Sequence, residues 1–352
     1  MSALNDYAQT STNWRQQLRR NERRTLIVIT TFILLYLLLG FVIDLFLATS
    51  KPFATNYGQV VYLTIGEATR ALLTGQLIPK VTIITAIIAV ISLLVTFSMH
   101  DRLMLLGTEY YEIEPSKFRS IEEQQLYNVV EEMKIAAGLR YMPKVYLIEA
   151  DYMNAFASGY SERSAMVAIT RGLLQKLDRS ELQAVMAHEL SHIRHHDIKL
   201  TLMASVLSNL MLIILDVFFY GVLFSLDRRE GNNLVIVVML LRFILPIVTV
   251  LLMLYLSRTR EYMADAGCVE LTRSNEPLAR ALLKIHQDHG SNQEAYTAAY
   301  GGTAHEGVRR AAYLYDPSQA GISTTGSINS LFSTHPPIEE RLKALGFTSR
   351  NG

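Results

Sequence analysis

The sequence predicts an α-helical integral membrane protein with four transmembrane helices and a mainly α, α+β soluble domain with a small sheet. Three observations carry this. Half of the 352 residues are hydrophobic and only 18% are charged, a balance that excludes intrinsic disorder. The hydrophobic residues gather into four long runs, at 26–47, 81–97, 202–226 and 234–256, each close to the ~20 residues that cross a hydrocarbon core ~30 Å thick. Outside the runs, capped helical patterns alternate with short β-rich pieces. The net charge of +1 gives no electrostatic case for a nucleic-acid partner. A single cysteine, Cys268, excludes an intrachain disulfide and a cysteine-based metal site.

Residues 1–25 form a basic segment in which Arg15, Arg19, Arg20, Arg23 and Arg24 precede the first run. Basic residues beside a span keep that end in the cytoplasm. The first run is too long and too deep in the chain for a cleaved signal peptide, so it is expected to remain as an anchor. Residues 26–97 make a first hairpin of two spans. Asp44, near the outer end of the first span, is expected to reach the interface. The loop at 48–80 carries only Lys51, Arg70 and Lys80, whereas residues 98–199 carry twelve Lys and Arg, which places the latter on the cytoplasmic side.

Within 98–199 a helix starts at Ser120, with Glu123 completing a capping box. Residues 145–148, 154–157 and 165–169 read as strands. Asp178 with Glu181 caps another helix, which runs through His192. Residues 200–256 form a second membrane hairpin. Arg228 and Arg229 in its turn run mildly against the assigned topology. Asp216 and Arg242 lie at nearly equal depth in its two spans. They form an intramembrane ion pair, or each faces a polar environment alone. Residues 257–352 complete the soluble domain. They are helical to about Gln287, with an interruption at 275–277. A loop is expected at 290–330, with a short helical piece near 308–314, and a last helix at 337–345.

His188-Glu189-Leu190-Ser191-His192 carries the chemistry. On a helix, positions i and i+4 share a face, so both imidazoles can bind one ion. Glu189 can then act on a water held there. A catalytic zinc needs a third protein ligand and an open position. Glu261 and Asp265, four apart on one helical face just after the fourth run, supply candidates. Glu261 is the expected ligand, and Asp265 the acceptor that fixes a ligand imidazole. A solvated acidic helix start is the alternative. A membrane hairpin between His192 and Glu261 returns the chain to the same side, so the two can meet. His195 and His196 are expected to be solvated residues on the helix tail, beside Asp197 and Lys199. His286, His289 and His305 lack ligand spacing and are expected at the surface.

Asn154-Ala155-Phe156-Ala157, Thr170-Arg171-Gly172-Leu173-Leu174, Ala187-His188-Glu189-Leu190-Ser191-His192, Glu261-Tyr262-Met263-Ala264-Asp265 and the stretch from Ser333-Thr334-His335-Pro336-Pro337 to Arg341-Leu342 follow in this order. Together they resemble the HtpX-type membrane zinc metalloproteases, gluzincins related to the type-I CAAX prenyl proteases. The resemblance implies a gluzincin-type domain with one zinc ion at His188, His192 and Glu261 and with Glu189 as general base. It implies that Asn154, Ala155, Phe156 and Ala157 form a strand edge binding substrate backbone. It also implies that His335 and Arg341 lie near the scissile carbonyl, with His335 donating to the oxyanion. On its residues alone, Thr334-His335-Pro336-Pro337 reads equally as a rigid turn. A salt bridge ordering the loop is the alternative for Arg341.

The expected activity is hydrolysis of peptide bonds in misfolded or damaged membrane proteins. The partners are polypeptide substrates and the lipid bilayer. The expected location is a bacterial cytoplasmic (inner) membrane, with the active site facing the cytoplasm. Glu261 lies five residues beyond Leu256, about 8 Å along a helix, which would set the site near the membrane surface. A CAAX prenyl-type protease and a non-catalytic, zinc-stabilised membrane chaperone or scaffold are the rival functions. An intact Glu189 weighs against the scaffold.

Overall fold

The structure, a computed structural model, describes residues 7–9, 14–50, 52–54, 60–105, 108–159, 161–224, 233–301, 312–322 and 335–349. In chain order the elements are β1 (Tyr7–Gln9), α1 (Trp14–Ser50), β2 (Pro52–Ala54), β3 (Val60–Tyr62), α2 (Ile65–Leu73), α3 (Lys80–Leu105), β4 (Tyr110–Glu112), α4 (Ile121–Ala137), β5 (Lys144–Ile148), β6 (Ala155–Ser158), β7 (Met166–Thr170), α5 (Arg171–Lys176), α6 (Arg179–Arg194), α7 (Asp197–Phe224), α8 (Asn233–Thr272), α9 (Glu276–Ser291), α10 (Gln293–Gly301), α11 (Ile338–Leu345) and β8 (Phe347–Ser349). The chain divides into two units, each assembled from separate segments. One takes Met1–Leu26, Phe97–Thr201 and Leu254–Gly352; the other takes Ile27–Thr96 and Leu202–Met253.

The first unit holds a four-stranded sheet in the order β4-β5-β7-β6. β5 and β7 are parallel, and both outer strands are antiparallel to their neighbours. β1 and β8 pair separately. Every residue of β7 is buried, as expected of a short apolar strand covered on both faces. α6 lies against α4, α9 and β6, burying Leu182, Val185, Met186 and Leu190. Its start follows the sequence. Asp178 Oδ1 accepts the Glu181 amide at 2.9 Å, and the Asp178 amide donates to Glu181 Oε2 at 3.0 Å. At α4, Ser120 Oγ accepts the Glu123 amide at 3.2 Å, while the Glu123 carboxylate accepts the amide of Arg119. The return bond of the box is thus made one residue earlier. Gly172 opens α5 where a Cβ would fall 1.9 Å from the Asp151 carbonyl oxygen.

Residues 290–301 are helical apart from a turn at Asn292, contrary to the expected loop: α9 runs to Ser291, and α10 starts at Gln293. Tyr296 and Tyr300, four apart, give α10 a buried face that its Ala- and Thr-rich composition conceals. The expected helical piece at 308–314 lies mostly outside the described residues. Tyr313 and Leu314, which are described, are not helical: Tyr313 forms a β-bridge, and both are buried.

The second unit contains the long apolar stretches. Among the described residues two helices are long and apolar enough to cross a membrane, Leu26–Ser50 and Met239–Thr272. α3 and α7 are 26 and 28 residues long, but the apolar stretches of their described residues are shorter, Lys80–Ser92 and Val206–Tyr220. Two of the four expected spans therefore meet the criterion among the described residues. Arg228 and Arg229 lie outside them.

Asp44 corrects an expectation. Rather than reaching outward, it is 6% exposed. Its Oδ1 accepts the Val81 amide at 2.9 Å, and its Oδ2 accepts the amide and hydroxyl of Thr82 at 3.0 and 2.7 Å. It caps the first turn of α3, whose amides have no partner within the helix. Gly40 permits this approach, since a Cβ there would lie 2.7 Å from Thr82 Oγ1. Leu39 and Ile43 of α1 pack with Met211 and Leu215 of α7 and Leu245 of α8. Of the two readings for Asp216 and Arg242, the ion pair holds: Arg242 Nε lies 2.7 Å from Asp216 Oδ1. Pro246, inside α8, has no amide hydrogen to offer the Arg242 carbonyl four residues before it.

Candidate active site

α6 and α8 bring the sequence-predicted residues together. His188 and Glu189 are buried, and His192 is half-buried, on the face of α6. Glu261 and Asp265 project from α8, 6% and 2% exposed. His188 Nε2 and His192 Nε2 are 3.2 Å apart. They lie 3.7 and 3.5 Å from the Glu261 oxygens. One donor atom from each of the three residues falls within 4.8 Å of the others. Gly267 allows the two helices to close, for a Cβ there would lie 2.5 Å from Ser191 Oγ.

Each imidazole is held from behind. Asp265 Oδ1 lies 3.0 Å from His188 Nδ1, and Asp197 Oδ2 lies 2.9 Å from His192 Nδ1. Arg341 from α11 donates to Asp265 through Nε at 3.0 Å and Nη2 at 2.6 Å. Its Nη1 donates to the Leu314 carbonyl at 2.7 Å. Arg260 Nη1 lies 2.8 Å from Asp197 Oδ1. His335, 1% exposed, has Nε2 3.7 Å from Glu261 Oε1.

The electrostatics follow from burial and these contacts. Burial alone would depress the imidazole of His188, but Asp265 and Glu261 overcome it and hold it at about 9. Burial pushes the Glu189 carboxyl up, against the pull of the neighbouring imidazoles. Glu261 is also opposed by burial, yet His335 and the ligand imidazoles hold it well below the usual carboxylate range. Four buried carboxylates, Glu189, Asp197, Glu261 and Asp265, face two buried guanidiniums, Arg260 and Arg341. With Glu189 ionised and the imidazoles neutral, as ligation of an ion requires, the excess of two negative charges matches a divalent cation. Both Glu189 oxygens and Glu261 Oε2 are buried without a hydrogen-bond partner, a costly state that a metal and its water relieve. The donor set therefore fits a metal ion.

The model of peptidase family M48 matches residues 120–348. The chain belongs to peptidase family M48. It is a metalloprotease, and the family implies a metal cofactor. The protease HtpX homolog of Helicobacter pylori strain Shi470 is 37% identical over 337 residues, covering 95% of this chain and 98% of the relative. That of Dictyoglomus thermophilum is 40% identical over 222 residues, covering 62% of this chain and 68% of the relative. The crystal structure of S. mikatae Ste24p aligns with a TM-score of 0.46 at 19% identity, over 74% of this chain and 57% of that one.

The M48 site also departs from what its sequence suggested. The edge strand is not open. Ala155, Phe156, Ala157 and Ser158 are at most 3% exposed, and the outer edge of β6 is paired with the chain itself. Phe156 bridges Tyr313, and the Leu314 amide donates to the Ala155 carbonyl at 2.8 Å. The Asn154 side chain is spent within the core. Its Nδ2 donates to the Tyr315 carbonyl at 3.0 Å and to the Tyr300 hydroxyl at 3.2 Å, and its Oδ1 accepts the amides of Ala155 and Tyr315. Arg341 makes the salt bridge of the alternative reading. It is 2% exposed with its fork on Asp265, and its Nη1 lies 3.5 Å from Glu261 Oε2.

Asp197, read from the sequence only as a neighbour of His195 and His196, is 3% exposed and lies against His192. α6 ends at Arg194, and His196 takes a left-handed φ of 55°. That turn swings Asp197 back toward the site, which a continuous helix could not do. His289 was expected at the surface and is fully buried. It donates from Nδ1 to the Ile285 carbonyl and accepts the Tyr300 hydroxyl at Nε2. His286 is half-buried, its Nδ1 2.6 Å from the Tyr315 hydroxyl. His305 lies outside the described residues. His196 is exposed, as expected, whereas His195 is half-buried with its Nδ1 shielded from solvent, so it is not the solvated residue its place on the helix tail suggested; neither belongs to the ligand cluster.

Proposed function

We propose that this metalloprotease is a zinc endopeptidase spanning the bilayer four times, with its active site facing the cytoplasm of a bacterium. Its substrates would be misfolded or damaged membrane proteins. The convergence of the His188, His192 and Glu261 donor atoms within 4.8 Å, beside the orphaned Glu189 carboxylate, supports this most directly. Two imidazoles, a carboxylate and an open position are the donor set of a catalytic zinc. His188, His192 and Glu261 would hold the ion. Zinc supplies a Lewis acid for the scissile carbonyl and makes water acidic enough to lose a proton near neutral pH. Glu189, with its proton affinity raised by burial, takes the proton of the attacking water and passes it to the leaving amine. His335 donates to the oxyanion of the tetrahedral adduct. Asp265, clamped by Arg341, holds the His188 ring. The relatives' name as HtpX protease homologs and the long apolar helices favour membrane substrates. A scaffold has no use for a buried, unpartnered Glu189.

The test is zinc analysis with casein cleavage, on the wild type and Glu189→Gln in parallel. Cleavage should fall by about 10²–10⁴ or more while zinc stays bound. Loss of zinc in the variant would make Glu189 a ligand. Wild-type cleavage that a chelator does not block would remove the metal from the chemistry.

A further inference from the structure

Two buried arginines lie behind the ligand imidazoles, and each reaches one ring through one carboxylate. On the His188 side stand Asp265 and Arg341. On the His192 side stand Asp197 and Arg260, with His192 Nδ1 2.9 Å from Asp197 Oδ2 and Asp197 Oδ1 2.8 Å from Arg260 Nη1. We infer that Asp197 and Arg260 are positioning residues of the metal centre, acting on His192 as Asp265 and Arg341 act on His188. This rests on His188, His192 and Glu261 being the ligands.

The chemistry of the ring comes first. A carboxylate at Nδ1 holds the proton there and leaves the Nε2 lone pair for an ion. His192 Nε2 is the atom that faces His188 and Glu261. The connection comes second. Asp197 follows the left-handed turn after the HExxH helix, and Arg260 directly precedes Glu261 in α8. Their ion pair therefore ties the end carrying the two imidazoles to the helix carrying the carboxylate ligand, one residue from that ligand. It sets the spacing of the three donors.

Charge comes third. Asp197 and Arg260 are 3% and 5% exposed. Each aspartate has its own arginine, so each pair orients an imidazole without adding net charge. A buried pair of this kind contributes little stability over well-packed apolar residues. Its use here lies in holding a ring in one tautomer and one rotamer.

The experiment uses the full chain in detergent micelles. The variants are the paired replacement Asp197→Leu with Arg260→Met, which strands no charge, and Asp265→Asn for comparison. Thermal unfolding of the metal-free proteins, zinc competition against a chelator, and the visible spectrum of the cobalt-substituted proteins are measured. The paired variant should unfold close to the wild-type temperature, bind zinc about 10–100-fold more weakly, and show shifted cobalt bands. Wild-type zinc affinity with an unchanged cobalt spectrum in the paired variant would overturn the proposal. So would a paired variant that fails to fold where Asp265→Asn folds, since the pair would then hold the domain rather than the ion. A wild type that takes up neither zinc nor cobalt would instead overturn the ligand assignment itself.

Discussion

At the scale of single residues, His335 carries the sharpest expectation. It sits 3.7 Å from Glu261 in a buried position, and a donor to the oxyanion acts mainly in the transition state. His335→Ala should lower kcat by about 10²-fold or more, with KM and zinc content little changed. A normal kcat on a fluorogenic peptide would leave His335 as part of a turn. His289 makes a separate prediction about pH. Burial holds its imidazole at about 4, below the ordinary 6.5. The unfolded chain takes up a proton as pH falls below 6.5, while the folded chain resists until about 4. Stability is therefore present above that window and is lost through it, by at most about 3 kcal/mol. His289→Gln should flatten the dependence of unfolding free energy on pH between 6.5 and 4. Equal slopes in both proteins would show that His289 does not titrate this way. His188, His192, Glu261 and Asp265 were legible because i,i+4 spacing on a helix converts directly into a shared face. Asp197 was not, because its approach depends on one left-handed residue, His196, that no periodicity announces.

At the scale of elements, the α7–α8 pair is fixed by an interaction that sequence could only offer as one of two possibilities. On the proposed four-span topology, neutralising either Asp216 or Arg242 alone would leave its partner a lone charge in hydrocarbon, at about 2.5–3.5 kcal/mol on insertion scales. Neutralising both should recover most of that cost. Unfolding of the two single variants and the double in micelles measures the coupling, and strictly additive losses would mean that the two do not act as partners. The capping box at Asp178 was readable as a local pattern three residues long. The Asp44 cap on α3 was not, because acceptor and donors are 37 and 38 residues apart. The edge of β6 was hidden for the same reason: its partner Tyr313 comes from a stretch whose composition resembles a loop. Short-range pairings leave a pattern in sequence, whereas long-range ones leave only residues that fit either fate.

At the scale of the whole molecule, topology is the open test of the proposed orientation. Cys268 is buried, so thiol labelling reports introduced cysteines. A membrane-impermeant reagent applied to intact cells should label Gln76→Cys, in the loop after α2, and spare Ser116→Cys, ahead of α4. Labelling of Ser116→Cys from outside would place the protease unit on the opposite face. The interleaving of the two units also governs when this enzyme comes into being. His188 and His192 precede the segment Leu202–Met253 of the other unit, and Glu261, Asp265, His335 and Arg341 follow it. A ribosome adding about 5–20 residues per second delivers Arg341 roughly 8 to 30 s after His192. Glu261 itself follows His192 by 69 residues, roughly 3 to 14 s, and until then the nascent chain carries its two imidazoles and Glu189 with no third donor. On the proposed four-span topology it is proteolytically silent over that time, and the hairpin that must insert in between works as a timer on its first turnover.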